Sequence, residues 1–252
     1  MRRLIPDFQE EPPEGLYADL RFPDRPDRPY LVLHLVMSAD GGATLRGRTG
    51  GMGGVADRLA FRRLREACDA VLVGAGTVRE EAYGPPRLPP EAQAHRTARG
   101  LAPLPRLVIV TARAALDPTH RVFSDPDRPP LVVAPEDASS GALSGIARVA
   151  EVMRCGRGGV DLGRMLQLLR ARGIRWVVCE GGPVLAARLL ALDLVDELFL
   201  TLAPWMVGSG ERRLIEGVLD PPRRLRLVEV REHEGDLLLR YALLGREEPP
   251  GR

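Results

Sequence analysis

"IRWVVCEGGPVLAARLL" occupies residues 174–190. The first five residues read as a buried strand. Pro183 suits the first turn of a helix, because the N–H it lacks has no partner there. Between the two stand Cys179, Glu180, Gly181 and Gly182. A helix start exposes unpaired N–H groups and partial positive charge, and glycines let a ligand come close to the backbone. The junction therefore suits an anion such as a phosphate. A tight strand-to-helix turn with an incidental glutamate explains the same residues equally well.

Outward from this junction, strand and helix patterns alternate. Residues 30–37, "YLVLHLVM", are almost continuously apolar and predict a central strand. Residues 56–69 carry Leu59, Leu64 and Ala67 at helical spacing, and residues 70–74, "AVLVG", read as a buried strand. A Pro-rich stretch, 84–105, is long enough as a loop to suggest function or mobility. Residues 106–111 and 130–134 are two more short strands. Residues 161–173 predict a helix capped by Asp161, with Leu162, Met165, Leu166 and Leu169 on one face and Gly173 at its end. Residues 196–204 predict a strand, and 224–243 a hairpin turning at Glu234 and Gly235, with Leu225, Leu227 and Val230 on its first arm. The pattern is α/β: a mostly parallel central sheet with flanking helices and antiparallel C-terminal strands. Residues 1–28, rich in Pro, Asp, Glu and Arg, are expected to be a flexible arm, and 29–246 one domain.

Composition narrows the function. The 252 residues carry a net charge of +2, so no electrostatic case exists for nucleic acid or a membrane surface. All 36 Lys+Arg positions are Arg, which excludes a lysine Schiff base and a Walker phosphate loop. Cys68, Cys155 and Cys179 have neither zinc spacing nor a disulfide pattern. His34, His95, His120 and His233 form no metal cluster, and the signatures of a zinc deaminase are absent. With neither a signal region nor a membrane-length apolar run, the expected location is the cytoplasm.

Four loops follow apolar strands, where open α/β sheets hold ligands. "MSADGG" (37–42) offers Ser38 and Asp40, although a plain Asp-Gly turn also accounts for it. "GAGTV" (74–78) offers Gly74, Gly76 and Thr77 but lacks the third glycine of a dinucleotide fingerprint. "TARAALDP" (111–118) offers Thr111 and Arg113, either a reader of a ribose phosphate or a surface arginine. "CEGGP" (179–183) is the fourth.

"RPYLVLHLVMSADG", "DAVLVGAGTVREE", "WVVCEGGPVLAARLL", "VDELFLTLAPWMVGSG" and "GDLLLRY" occur in an order and spacing that resembles the reductase domain of the bacterial riboflavin-biosynthesis pyrimidine reductases, which have a dihydrofolate reductase-like fold. The run "GRTGGMGGVADRLAFRRLREACDAVLVGAGTVREEAYGP" is similar to the stand-alone actinobacterial-type members. The resemblance spans residues 29–243. It implies an NADPH-dependent reduction of the ribosyl group of 5-amino-6-(5-phosphoribosylamino)uracil to ribityl, in a homodimer, and the closing strands (225–230 and 237–243) are apolar enough to hide an edge against the partner. It implies that Gly76, Thr77, Gly181, Gly182 and Leu185 line the cofactor, to which the reading of the loops adds Gly74, Thr111, Arg113 and Pro183 as candidates. Ser38 and Asp40 would face the substrate, Glu180 would lie near the reacting centre, and Asp40 and Glu180 are the candidate acids. Hydride transfer needs its two partners held face to face, plus a proton source.

Two departures touch the substrate end. His34 stands where riboflavin-pathway members usually have Lys. "REEAYGPPR" (79–87) replaces their Asp-Pro pair and following Arg, which puts Glu81 and Arg87 in that region. Reduction of dihydrofolate or another pterin, and a non-catalytic nucleotide-binding paralogue, are the rival readings.

Overall fold

Short runs of Val, Leu and Ile become strands buried on both faces, and the helices between them supply the cover. The computed structural model describes residues 1–47, 50–81 and 83–245. In chain order the strands are β1 (Arg2–Ile5), β2 (Gln9–Glu10), β3 (Tyr30–Ser38), β4 (Ala70–Gly74), β5 (Arg106–Val110), β6 (Leu131–Ala134), β7 (Glu151–Arg154), β8 (Trp176–Cys179), β9 (Glu197–Ala203), β10 (Leu225–His233) and β11 (Asp236–Leu243). The helices are α1 (Val55–Ala67), α2 (Ala75–Glu80), α3 (Pro90–Ala98), α4 (Ser140–Ile146), α5 (Leu162–Ala171) and α6 (Pro183–Ala191).

The chain divides into two compact units, where one domain was expected. The first holds Met1–Leu20, Leu31–Leu64 and Pro183–Arg252; the second holds Arg21–Tyr30 and Arg65–Gly182. The expected C-terminal limit at Arg246 lies outside the described residues.

In the second unit the strands run in the order β8-β4-β5-β6-β7, and every pairing is parallel. Val71, Leu72, Val73, Val108 and Ile109 are fully buried, each stabilising the unit by roughly 1.5–3 kcal/mol. Parallel order sends all the carboxyl ends of these strands the same way, so the loops after β4, β5 and β8 emerge along one edge. α5 follows its sequence signals: Asp161 accepts from the Arg164 N–H at 2.9 Å, and Gly173 ends it at φ +82°.

In the first unit the order is β2-β1-β10-β11-β9-β3, antiparallel except for the parallel β3–β9 pair. The β10–β11 hairpin turns where expected, with Glu234 at φ 51° and Gly235 at φ 89°. Two positive φ values are what a two-residue hairpin turn demands.

Three expectations are corrected. Residues 1–28 are not a loose arm: β1 pairs with β10, and Leu16, Tyr17, Leu20 and Phe22 are buried. The apolar residues spaced among the charges supply the anchorage that the average composition concealed. The stretch 84–105 is not one loop, because it contains α3, with Pro90 in the first turn and Gly100 at φ +74° just past its end. The closing hairpin leaves no free edge to hide, because β1 lies on one side of it and β9 on the other.

Candidate active site

In the second unit, neighbouring strands β4 and β8 end in the two glycine loops, and the parallel register brings the loops together. The Gly74 N–H donates to the Gly181 carbonyl at 2.9 Å, and the Glu180 N–H donates to the Leu72 carbonyl at 3.0 Å. Gly181 sits at φ +91°, a conformation that side chains disfavour. A Cβ on Gly182 would lie 2.7 Å from Thr77 Oγ1, whereas one on Gly76 would meet nothing within 4 Å. The result is a cradle of bare backbone edged by a threonine hydroxyl, with open space above Gly76. Such a cradle fits the phosphates of a dinucleotide.

Glu180 precedes this cradle directly, and its side chain is only 3% exposed. Arg65, from the end of α1, grips it with both prongs: Nε to Oε1 at 2.7 Å and Nη2 to Oε2 at 2.8 Å. The Tyr83 hydroxyl donates to Oε2 and accepts from Arg65 Nη2 at 2.8 Å. Burial opposes the charge on Arg65, but Glu180 outweighs it and holds Arg65 more firmly protonated than usual. Burial and then the Glu180 charge push the Tyr83 hydroxyl well above its ordinary pKa. A guanidinium and a phenol thus grip this carboxylate at both oxygens.

In the first unit, Ser38 and Asp40 are brought together at the end of β3. Ser38 Oγ donates to Asp40 Oδ1 at 2.5 Å, and the Gly208 and Val207 N–H groups donate to Asp40 at 2.7 and 3.2 Å. These three donors hold the Asp40 carboxyl down at about 2. Asp40 is thus held as a carboxylate by its neighbours, whereas Glu180 is engaged by Arg65 and Tyr83. His34 is buried on β3, with Nε2 3.7 Å from Asp57 Oδ1 and its ring 5.7 Å from that of Phe61.

The other expected residues are more scattered. In the second unit Thr111 is buried, its N–H donating to the Val133 carbonyl at 2.9 Å, while Arg113 and Arg87 are exposed. Glu81 ends α2, its N–H donating to the Thr77 carbonyl. In the first unit Pro183 opens α6 and Leu185 is buried within it. Arg65, Tyr83, Val207 and Gly208 were missed. Tyr83 lies inside "REEAYGPPR", a stretch singled out for its flanking Glu81 and Arg87. The pairing of Arg65 with Glu180 spans 115 residues and leaves no local trace. Among the described residues no group of His, Cys, Asp and Glu is placed to hold a metal ion, and no helix is long and apolar enough to cross a membrane.

Known proteins agree with this architecture. The family described as the RibD C-terminal domain matches residues 29–239. The chain is 30% identical over 223 residues to the 2,5-diamino-6-ribosylamino-4(3H)-pyrimidinone 5′-phosphate reductase of Methanothermobacter thermautotrophicus, covering 86% of this chain and 100% of that one. It is 31% identical over 188 residues to the protein of the same name from Archaeoglobus fulgidus, covering 73% and 84%. Its fold matches the crystal structure of a pyrimidine reductase-like protein from Corynebacterium diphtheriae with a TM-score of 0.81 at 29% identity, over 93% of this chain and 99% of that one. The parallel strands with their glycine cradle and the antiparallel closing strands are therefore those of a riboflavin-biosynthesis reductase fold, and the chain belongs to the RibD C-terminal domain family.

Proposed function

We propose that this protein is a nicotinamide-dependent reductase of riboflavin biosynthesis that converts the ribosyl group of a ribosylaminopyrimidine 5′-phosphate to ribityl. The observation that carries the reading is the cradle at the ends of β4 and β8, where Gly181, Gly182, Gly76 and Thr77 offer backbone and hydroxyl to a dinucleotide. Gly74 and Pro183 flank it. A dihydronicotinamide held there would supply the hydride for C1′ of the ribose. The protein's part is to orient and to exclude water. Ser38 contacts the substrate, and Asp40 braces Ser38 and the 207–208 backbone around it. His34, Glu81 and Arg87, the positions at which this chain departs from the usual pattern, are the further candidates for substrate contact. With Asp40 held low by its three donors and both Glu180 oxygens taken up by Arg65 and Tyr83, the proton that accompanies the hydride comes from solvent.

The base carried by the substrate is either the 2,5-diaminopyrimidinone named for the archaeal relatives or the corresponding uracil. Purified protein is mixed with NADPH and each compound in turn, and nicotinamide absorbance is followed. Turnover of one or both supports the reading. Turnover of dihydrofolate alone, or of nothing, defeats it.

NADPH is the proposed form of the cofactor. Arg113, exposed just past β5 beside Thr111, is the candidate partner of the 2′-phosphate. The protein is proposed to act in the cytoplasm as a homodimer. By strand register Leu225, Leu227, Val230, Leu239 and Tyr241 share one face of the first unit, and Leu225 and Leu227 remain 37% and 38% exposed. Such an apolar sheet face suits a second copy. Sedimentation at micromolar protein that gives the 27.6 kDa monomer would contradict it.

A further inference from the structure

We propose that Arg65 and Tyr83 are positioning residues that act through Glu180, clamping the turn that carries Gly181 and Gly182 so that its backbone is set for the dinucleotide; this rests on the functional reading above. Two adjacent glycines have no side chains to pack and large backbone freedom, so their geometry has to be imposed by neighbours. On one side that neighbour is Glu180. Its carboxylate takes both prongs of Arg65 at 2.7 and 2.8 Å. Its backbone is hydrogen-bonded to Leu72 on β4, one strand away.

Tyr83 ties in the other glycine loop. It follows α2, the helix that contains Gly76 and Thr77, and its hydroxyl bonds both Glu180 and Arg65. One carboxylate is therefore linked to the end of α1, to the chain leaving α2 and to the glycine turn after β8. The two glycine loops also meet directly, through the Gly74–Gly181 hydrogen bond and the close approach of Gly182 to Thr77. The Glu180 side chain is 3% exposed and that of Arg65 13%, so water screens the pair weakly. Each of the three polar groups satisfies the others, as a buried polar cluster requires. The arrangement assigns Glu180 to holding the cradle rather than to moving a proton.

Two conservative variants test this. Tyr83→Phe removes one hydroxyl, and Arg65→Lys keeps the charge but loses the fork. Amide hydrogen exchange is measured on the ligand-free protein, together with NADPH Kd and kcat. The clamp requires exchange at residues 74–77 and 180–182 to accelerate about tenfold or more in each variant. NADPH Kd should rise roughly five- to tenfold, about 1–1.4 kcal/mol, with a smaller fall in kcat. Unchanged exchange in both variants overturns the proposal. So does an unchanged Kd with a collapsed kcat, which would return Glu180 to the reacting atoms. If the wild type binds neither NADPH nor NADH, the functional reading fails while the exchange measurement still decides the clamp.

Discussion

Asp40 and Glu180 are both carboxylates beside glycines at the end of a buried strand, and the two units hold them by different physics. Asp40, in the mostly antiparallel unit, is exposed and held by neutral donors: one hydroxyl and two backbone N–H groups. Glu180, in the all-parallel unit, is buried and held by a full positive charge and a phenol. Water can replace what Asp40 loses. Water reaches Glu180 too little to replace the charge it would lose. The same functional group in the same kind of loop is thus a local brace in one place and part of the unit's interior in the other.

The sharpest way to break this comparison is to remove the cation. Arg65→Ala leaves a buried, uncompensated carboxylate and should destabilise the protein by about 3–5 kcal/mol in urea melts. Adding Glu180→Gln to Arg65→Ala should recover part of that loss, because no buried charge then remains. Asp40→Ala should lose far less. Equal losses at the two sites would erase the distinction.

Arg113 sharpens the comparison from the ligand side. It is exposed, and an exposed cation contributes little to stability. Against a 2′-phosphate it should matter: Arg113→Ala is expected to weaken NADPH by about 1.5–3 kcal/mol and leave NADH unchanged. Equal losses for both cofactors would mean that the arginine does not read the phosphate.

A smaller effect is expected within the cradle. Gly182→Ala places a Cβ against Thr77 Oγ1, so the turn or the threonine side chain must shift. Dinucleotide affinity should fall about tenfold, near 1.4 kcal/mol, in a titration of folded protein. Normal affinity would place the phosphates elsewhere.

The smallest effect is on the acid side of the exposed brace. The folded pKa of Asp40 lies below its ordinary value, at about 2. Its ionised form therefore adds stability above the ordinary carboxylate pKa of about 3.9. That contribution fades as the pH falls toward 2. Wild type and Asp40→Asn should differ in stability near neutrality and converge on acidification. A gap that persists down to that pH would show that the carboxylate charge is not what braces the loop.

Much of the site is legible in the amino-acid sequence. The glycines of 74–76 and 181–182 sit after apolar strands, and both loops do end neighbouring parallel strands. Ser38 and Asp40 are two residues apart, so a mutual hydrogen bond is a short-range matter. "PPEAQAHRTARG" (89–100) held a readable helix, α3, with Pro in its first turn and Gly past its end. Proline content overshadowed those signals. The β1–β10 pairing was not readable, because Arg3 and Arg231 are 228 positions apart and β1 has only four residues.

By itself the sequence determined what depends on near neighbours: which runs are strands, where α5 is capped and ends, where the closing hairpin turns, and which words of the loops mark the family. Only the tertiary structure decided what each carboxylate is for. Hydropathy and turn propensity act over a few residues, while Coulomb attraction and burial depend on distance in space. Arg65, Tyr83 and Glu180 become one unit only after β8 pairs with β4 and the Tyr83 hydroxyl reaches Glu180 and Arg65.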